Sequence, residues 1–228
     1  MTDVALKRRR STLLFVRDLL IIVLVAIVIS FVIKTFLVRT FFVPSGSMQT
    51  TLQIDDRILV NELVPDLVPL ERGDVVVFED PGGWLPAMPA STPSPLDSVL
   101  SFVGLAPQDG NNHLVKRVIG LPGDTVQCCD SFGHLIINGV PVTESYITLD
   151  PGQTNAGALE FTITVPANSI WVMGDNRYHS RDSSFHLGDP GGGSVPISRV
   201  VGRAIAVSWP VSHWVWLDNH SDDYLGVK

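Results

Sequence analysis

Two side chains in this 228-residue sequence sit in surroundings that could turn an ordinary residue into a reagent. Lysine is scarce, and beyond residue 40 it occurs only as Lys116 and the terminal Lys228. Lys116 lies in Leu114-Val115-Lys116-Arg117-Val118-Ile119, where strand alternation places Leu114, Lys116 and Val118 on one face. An ammonium among aliphatic neighbours loses hydration, so its pKa falls from about 10.4 toward neutrality. A neutral amine is a general base. The same stretch also fits an edge-strand lysine whose ammonium snorkels to water.

A base needs a proton to take, and Phe42-Val43-Pro44-Ser45-Gly46-Ser47-Met48 offers one. Pro44 fixes one backbone dihedral and Gly46 permits an unusual one, which presents Ser47 on a tight turn. Such a turn can aim a hydroxyl and a backbone N–H at the same carbonyl. Taken alone, Ser-rich turns commonly do no more than satisfy their own backbone. A histidine-based serine protease has no support here: GxSxG is absent, and none of the six histidines stands in a familiar catalytic pattern. A Ser-Lys dyad remains, and it needs neither metal nor cofactor.

The rest of the chain has to bring these two residues together. It divides by charge: residues 1–40 carry +5 and residues 41–228 carry -12, within a total of -7. Lys7, Arg8, Arg9, Arg10 and Arg17 precede an uncharged run from Leu19 to Ile33, which Lys34 closes. That run falls short of the ~20 residues a bilayer requires, so Leu13 to Val16 must also enter, and Arg17 and Asp18 must pair or snorkel. It is apolar on every face, unlike an amphipathic core helix, and KTFLVRTFFV after it holds no small-x-small site of a cleavable secretory signal. The expected organisation is a cytoplasmic basic tail at 1–12, a single transmembrane helix at 13–37 and an extracytoplasmic domain at 38–228. Basic residues ahead of the span put the amino terminus in the cytoplasm and the body outside the cytoplasmic membrane. The lipid bilayer is then a partner, and nucleic acid is not expected for an acidic body.

That body is expected to be mostly β. DRILVNELV (56–64), DVVVFE (74–79), HLVKRVIG (113–120), HLIING (134–139), EFTITV (160–165), SIWVMGD (169–175) and GRAIAVSW (202–209) are β-branched runs bounded by turn residues. Asn138-Gly139 is a hairpin turn signal. Residues 81–112, with six prolines, read as an inserted loop holding a short helix around Leu96 to Val103. Its Trp84, Leu85, Leu100 and Phe102 either cover an edge of the core or dip into the lipid headgroup layer. Cys128 and Cys129 lie where disulfides form, but adjacent cysteines suit disulfide geometry poorly, so two thiols or a link between chains is expected. Two cysteines do not make a zinc site, and no metal is expected.

Four segments, taken in order, resemble the bacterial type I signal peptidases, membrane-bound Ser-Lys proteases that remove signal peptides from exported proteins. They are PSGSM (44–48) with Thr51-Leu52, RGDVVVF (72–78), VKRVIGLPGD (115–124), and GDNR (174–177) followed by Ser180 and Asp182. The resemblance implies Ser47 as nucleophile and Lys116 as base. It implies an oxyanion hole from the Ser45 hydroxyl and the Ser47 N–H, and Ser180 as the residue that orients the lysine. Asp175, Arg177 and Asp182 would be structural residues near the site. Val43, Met48, Leu52 and Leu114 would line shallow pockets for the small residues one and three positions before the cut. The family fold is a β-rich domain with an SH3-like coiled barrel at the outer membrane surface, acting on secreted preproteins beside Sec-type export machinery.

The sequence departs from the family pattern at Thr50, where proline is usual, at Tyr178-His179, and at Ser184, where arginine is common. Asp182 is therefore expected to pair with Arg181 or Arg177. Alternation turns Arg117 away from Lys116, toward a structural ion pair. GDNR also fits a plain turn in which Asp175 caps its own backbone. Two other functions remain compatible with the residues: a peptidase dedicated to pilin-like or conjugative substrates, and a catalytically silent tethered β-domain.

Overall fold

A computed structural model describes residues 14–29, 37–86 and 112–228. Within them, β-branched runs become strands wherever glycine, proline or aspartate turns bound them. The strands are β1 (Val38–Phe42), β2 (Arg57–Asn61), β3 (Val75–Glu79), β4 (His113–Gly120), β5 (Thr125–Cys128), β6 (Leu135–Ile137), β7 (Val140–Val142), β8 (Phe161–Thr164), β9 (Ser169–Met173), β10 (Val195–Pro196), β11 (Val200–Trp209) and β12 (Val215–Trp216). The fold is mostly β, as expected, and each of the seven runs read from sequence holds a strand. β2 stops at Asn61 because the Asn61 side chain accepts the Leu63 N–H at 3.0 Å and turns the chain. Asn138 and Gly139 both take positive φ, 51° and 81°, and join β6 to β7 as the hairpin signal requires.

The main sheet runs β1-β2-β11-β3-β4-β9-β10, with β12 beside β11, and a second sheet runs β7-β6-β5-β8. In a flat sheet β1 and β4 would stand about 19 Å apart, four strand spacings. Yet the Phe41 ring on β1 lies 5.3 Å from the His113 ring on β4. The sheet therefore curls until its first strand faces its fifth. Register breaks along β11, between Val200 and Gly202, Ala204 and Ala206, and Val207 and Trp209, supply the bend, as β-bulges do.

β3 shows why a continuous apolar run suits this architecture. Val75 and Val77 pack with Phe41, Val43, Met48, Leu52 and Ile58, whereas Val76 and Phe78 pack with Trp84, Val118, Ile170 and Val172. Both faces of the strand are buried, so no polar residue interrupts it. Trp84 decides between the two roles open to it: it is buried, meets Phe78 edge-on at 5.7 Å and stacks on His186 at 4.4 Å. It covers the core. The Asp80 carboxylate holds the start of this loop by accepting the N–H groups of Gly82, Trp84 and Leu85 at 2.8, 3.1 and 3.0 Å. The expected helix around Leu96 to Val103, with Leu100 and Phe102, lies outside the described residues.

Residues 14–29 are helical and exposed along their whole length. Arg17 and Asp18 pair at 2.8 Å, which is how the sequence required this charged couple to be accommodated. Among the described residues no helix is long and apolar enough to cross a membrane. The remainder of the expected anchor, residue 13 and residues 30–36, lies outside them.

Candidate active site

The curl of the sheet carries the turn that follows β1 onto β4. There the Lys116 ammonium nitrogen stands 2.6 Å from the Ser47 hydroxyl oxygen, across 69 residues of sequence. Lys116 also donates to the Val115 carbonyl at 3.2 Å and is only 4% exposed, so it does not snorkel. Burial pushes its pKa from 10.5 down to about 8, against the opposing pull of the Asp182 and Asp175 carboxylates. In the neutral form the same short contact reverses, and the amine lone pair faces the hydroxyl proton.

Ser47 sits in the 3₁₀ turn Gly46–Met48, buried at its position, with the Ser45 hydroxyl 3.3 Å from its own. This turn is pressed against the end of β9. Gly174 makes the approach possible: a Cβ there would collide with the Ser47 carbonyl oxygen and the Ser180 hydroxyl. Asn176, part of GDNR but given no role from sequence, donates its backbone N–H to the Ser47 carbonyl and its side-chain Nδ2 to the Gly46 carbonyl, each at 3.1 Å.

On the opposite face of β4, Arg117 forms the ion pair that alternation implied. Its Nε and Nη2 reach the two Asp175 oxygens at 2.8 and 2.7 Å, and both residues are fully buried. Its Nη1 donates to the carbonyls of Gly73 and Asp218, and its guanidinium lies 4.0 Å above the Tyr146 ring. Asp175 also accepts the Thr51 hydroxyl at 2.5 Å, so it binds the segment after Ser47 rather than capping its own backbone.

A second buried pair lies next to the first. Arg177 grips Glu144 through two contacts of 2.6 Å and donates to the carbonyls of Gly174 and Ala156. The Tyr146 hydroxyl donates to Glu144 at 2.6 Å and meets that of Tyr224. Burial and Glu144 push both phenols up, so they remain donors. Glu144 and Tyr146 lie in an irregular segment and Tyr224 ends a short 3₁₀ turn, none with a periodic signal, which is why sequence alone passes over them.

Three expectations are corrected. Ser180 makes no hydrogen bond to Lys116; its hydroxyl is buried against Gly174 and has no hydrogen-bond partner among the described residues. Among the described residues Asp182 pairs with no arginine: Glu144 holds Arg177, and Arg181 is exposed. Its carboxylate instead accepts the Gly174 N–H at 3.0 Å and the Ser184 hydroxyl and N–H at 2.8 and 3.2 Å. Ser184, standing where arginine is common, thus supplies two of the three donors to Asp182. Cys128 and Cys129 are bonded to each other: their Cα atoms are 3.0 Å apart across a cis peptide, which sends both side chains to one side. Of the expected pocket residues, Val43, Met48 and Leu52 are buried in one core cluster beneath the turn, whereas Leu114 is half-buried in another cluster with Phe78.

Residues 16–209 match the family described as "Signal peptidase, peptidase S26". The chain belongs to the signal peptidase family. It is 39% identical to a probable signal peptidase I of Mycobacterium leprae, over 75% of this chain and 68% of that one. It is 37% identical to signal peptidase I of Mycobacterium tuberculosis, over 93% of this chain and 78% of that one. A crystal structure of a signal peptidase I from Enterococcus faecalis aligns with a TM-score of 0.39 at 26% identity, over 59% of this chain and 95% of that one. As a member of the signal peptidase family, the protein is a hydrolase of the peptidase class.

The geometry makes two substitutions informative. Asp175→Ala leaves the Arg117 guanidinium buried and unpaired and is expected to cost about 3–5 kcal/mol in urea unfolding at pH 7; a loss below about 1 kcal/mol contradicts the role given to this pair. Gly174→Ala forces the Ser47 turn away from β9, and peptidase turnover should fall about 100-fold, as it does for small misplacements of reacting groups. Unaltered turnover in Gly174→Ala contradicts that close approach.

Proposed function

We propose that this protein is a membrane-anchored serine endopeptidase that cleaves signal peptides from exported preproteins with Ser47 as nucleophile and Lys116 as general base. The observation that carries this reading is the 2.6 Å contact between the Ser47 hydroxyl and a buried amine whose pKa is pushed down to about 8. Neutral Lys116 takes the hydroxyl proton as Ser47 Oγ attacks the scissile carbonyl. The Ser45 hydroxyl and the Ser47 N–H hold the developing oxyanion; losing one such donor typically slows a serine protease about 10²–10³-fold. The ammonium then protonates the departing amine, and the amine so regenerated activates water for deacylation. Ser180 and Asp182 support the site from behind, Ser180 by packing and Asp182 by fixing Gly174.

Val43, Met48 and Leu52 form the apolar floor under the nucleophile turn, and Leu114 shares the face of Lys116. A floor of this kind favours small substrate side chains. The coiled sheet is the SH3-like domain of the family, placed by a single-pass helix at 13–37 on the outer surface of the cytoplasmic membrane. The basic tail 1–12 stays in the cytoplasm, and preproteins arrive from Sec-type export machinery. The identity to proteins named signal peptidase I supports this substrate class.

Three variants and one titration test the proposal. Ser47→Ala and Lys116→Met should each abolish preprotein cleavage by the detergent-solubilised protein; near-normal turnover in either sinks the dyad. With the base at about 8, kcat/KM should fall tenfold per pH unit on the acid side, and at pH 6 only about 1% of the enzyme carries a neutral lysine. A flat profile between pH 6 and 8 contradicts it. Ser45→Ala should lower kcat about 100-fold with little change in KM.

The same titration links to stability. Below pH 8 the folded protein must hold a buried ammonium, at a cost of about 3 kcal/mol that fades between pH 8 and 10.5 and vanishes above. Lys116→Met should therefore be more stable than the parent protein at pH 7, with the gain disappearing by pH 11. A destabilised Met variant at pH 7 contradicts this account.

A further inference from the structure

Asn176 lies between Asp175 and Arg177 but joins neither ion pair. Its side chain reaches across 130 residues of sequence to the Gly46 carbonyl. That carbonyl belongs to the same peptide unit as the Ser47 N–H. The Gly46–Ser47 bond is not among the cis peptides, so its C=O and N–H point in opposite directions. Whatever fixes the carbonyl therefore aims the N–H. The Gln49 N–H also donates to Gly46 O, at 3.2 Å, and a carbonyl that accepts two hydrogen bonds makes its own N–H a stronger donor. The next peptide is held as well, because the Asn176 N–H binds the Ser47 carbonyl at 3.1 Å. Asn176 is only 9% exposed and its backbone carbonyl accepts the His179 N–H, so the clamp is itself fixed.

We infer that Asn176 is a positioning residue for the oxyanion hole: through the Gly46 carbonyl it orients and polarises the Ser47 N–H that receives the transition-state charge. This rests on Ser47 being the nucleophile. Asn176 touches neither Lys116 nor the Ser47 hydroxyl, so its removal should leave proton transfer intact and weaken only the stabilisation of the substrate oxygen.

The test uses Asn176→Ala, which deletes the donor, and Asn176→Asp, which sets a carboxylate oxygen against the Gly46 carbonyl. Both keep the backbone N–H bond to Ser47. Full-length enzyme in detergent is assayed on a signal-peptide substrate and on its analogue with a thiocarbonyl at the scissile bond, a weaker acceptor. Both variants should lower kcat about 10- to 100-fold, less than the loss of a whole donor. KM should stay within about twofold, and the acid limb should remain at about pH 8. The rate ratio of carbonyl over thiocarbonyl substrate should shrink at least about fivefold, a readout that general loosening of the fold does not move.

An unchanged ratio, a displaced acid limb, or loss of the folded state in both variants overturns the inference. Cleavage by Ser47→Ala would instead remove the nucleophile assignment on which it stands, so the two failures are distinguishable.

Discussion

The buried pair of Arg117 and Asp175 is the constraint on which the rest of the site depends. A guanidinium and a carboxylate with no exposure are costly to desolvate, and only close, fully hydrogen-bonded geometry offsets that cost. Here every contact of the pair joins a different segment. Arg117 belongs to the strand of Lys116, Asp175 to the chain leaving β9, Thr51 to the segment after Ser47, and Gly73 and Asp218 lend their carbonyls. A displacement of any of these would strand a charge, so the segments that carry Ser47 and Lys116 are held in register. Tyr146 extends the arrangement, stacking under Arg117 while donating to Glu144 of the second pair.

Two adjacent cations on β4 meet opposite fates because a strand alternates. Arg117 keeps its charge against a carboxylate in direct contact, and burial cannot neutralise a guanidinium. Lys116 points to the other face, where its near partners are a hydroxyl and a carbonyl, and the Asp182 carboxylate acts on it only from a distance. The amine therefore gives up its proton far more readily than an exposed lysine does. Arginine in that place would stay cationic and lysine at 117 would lose the two-point grip on Asp175, so the order of the two residues is itself part of the chemistry.

What could be read in the sequence follows the range of the interactions involved. Strand runs, the Asn138-Gly139 turn and the face of Lys116 depend on neighbours within a few residues, and all were legible. The motif order also named Ser47, Ser45 and Asp175. Partners across the sheet were not legible. Ser180 next to the lysine followed from the resemblance and Asp182 beside an arginine from a departure from it, yet Ser180 sits against Gly174, and Asp182 binds the Gly174 N–H and Ser184 while Glu144 holds Arg177. Asn176 stood inside the GDNR segment, yet no role could be read for it, because its partners are backbone carbonyls, which have no side-chain signature.

The sequence by itself determined the alternation that separates Lys116 from Arg117 and the tight turn that presents Ser47, because each is set by local stereochemistry, and its motif order marked Ser47 and Lys116 as candidates to react. Only the tertiary structure decided that the two groups touch, that the amine is dry enough to discharge, and which carboxylate serves which cation. Those depend on the curl of a sheet whose first and fifth strands are neighbours in space and far apart in the chain, and desolvation exists only once that curl has closed.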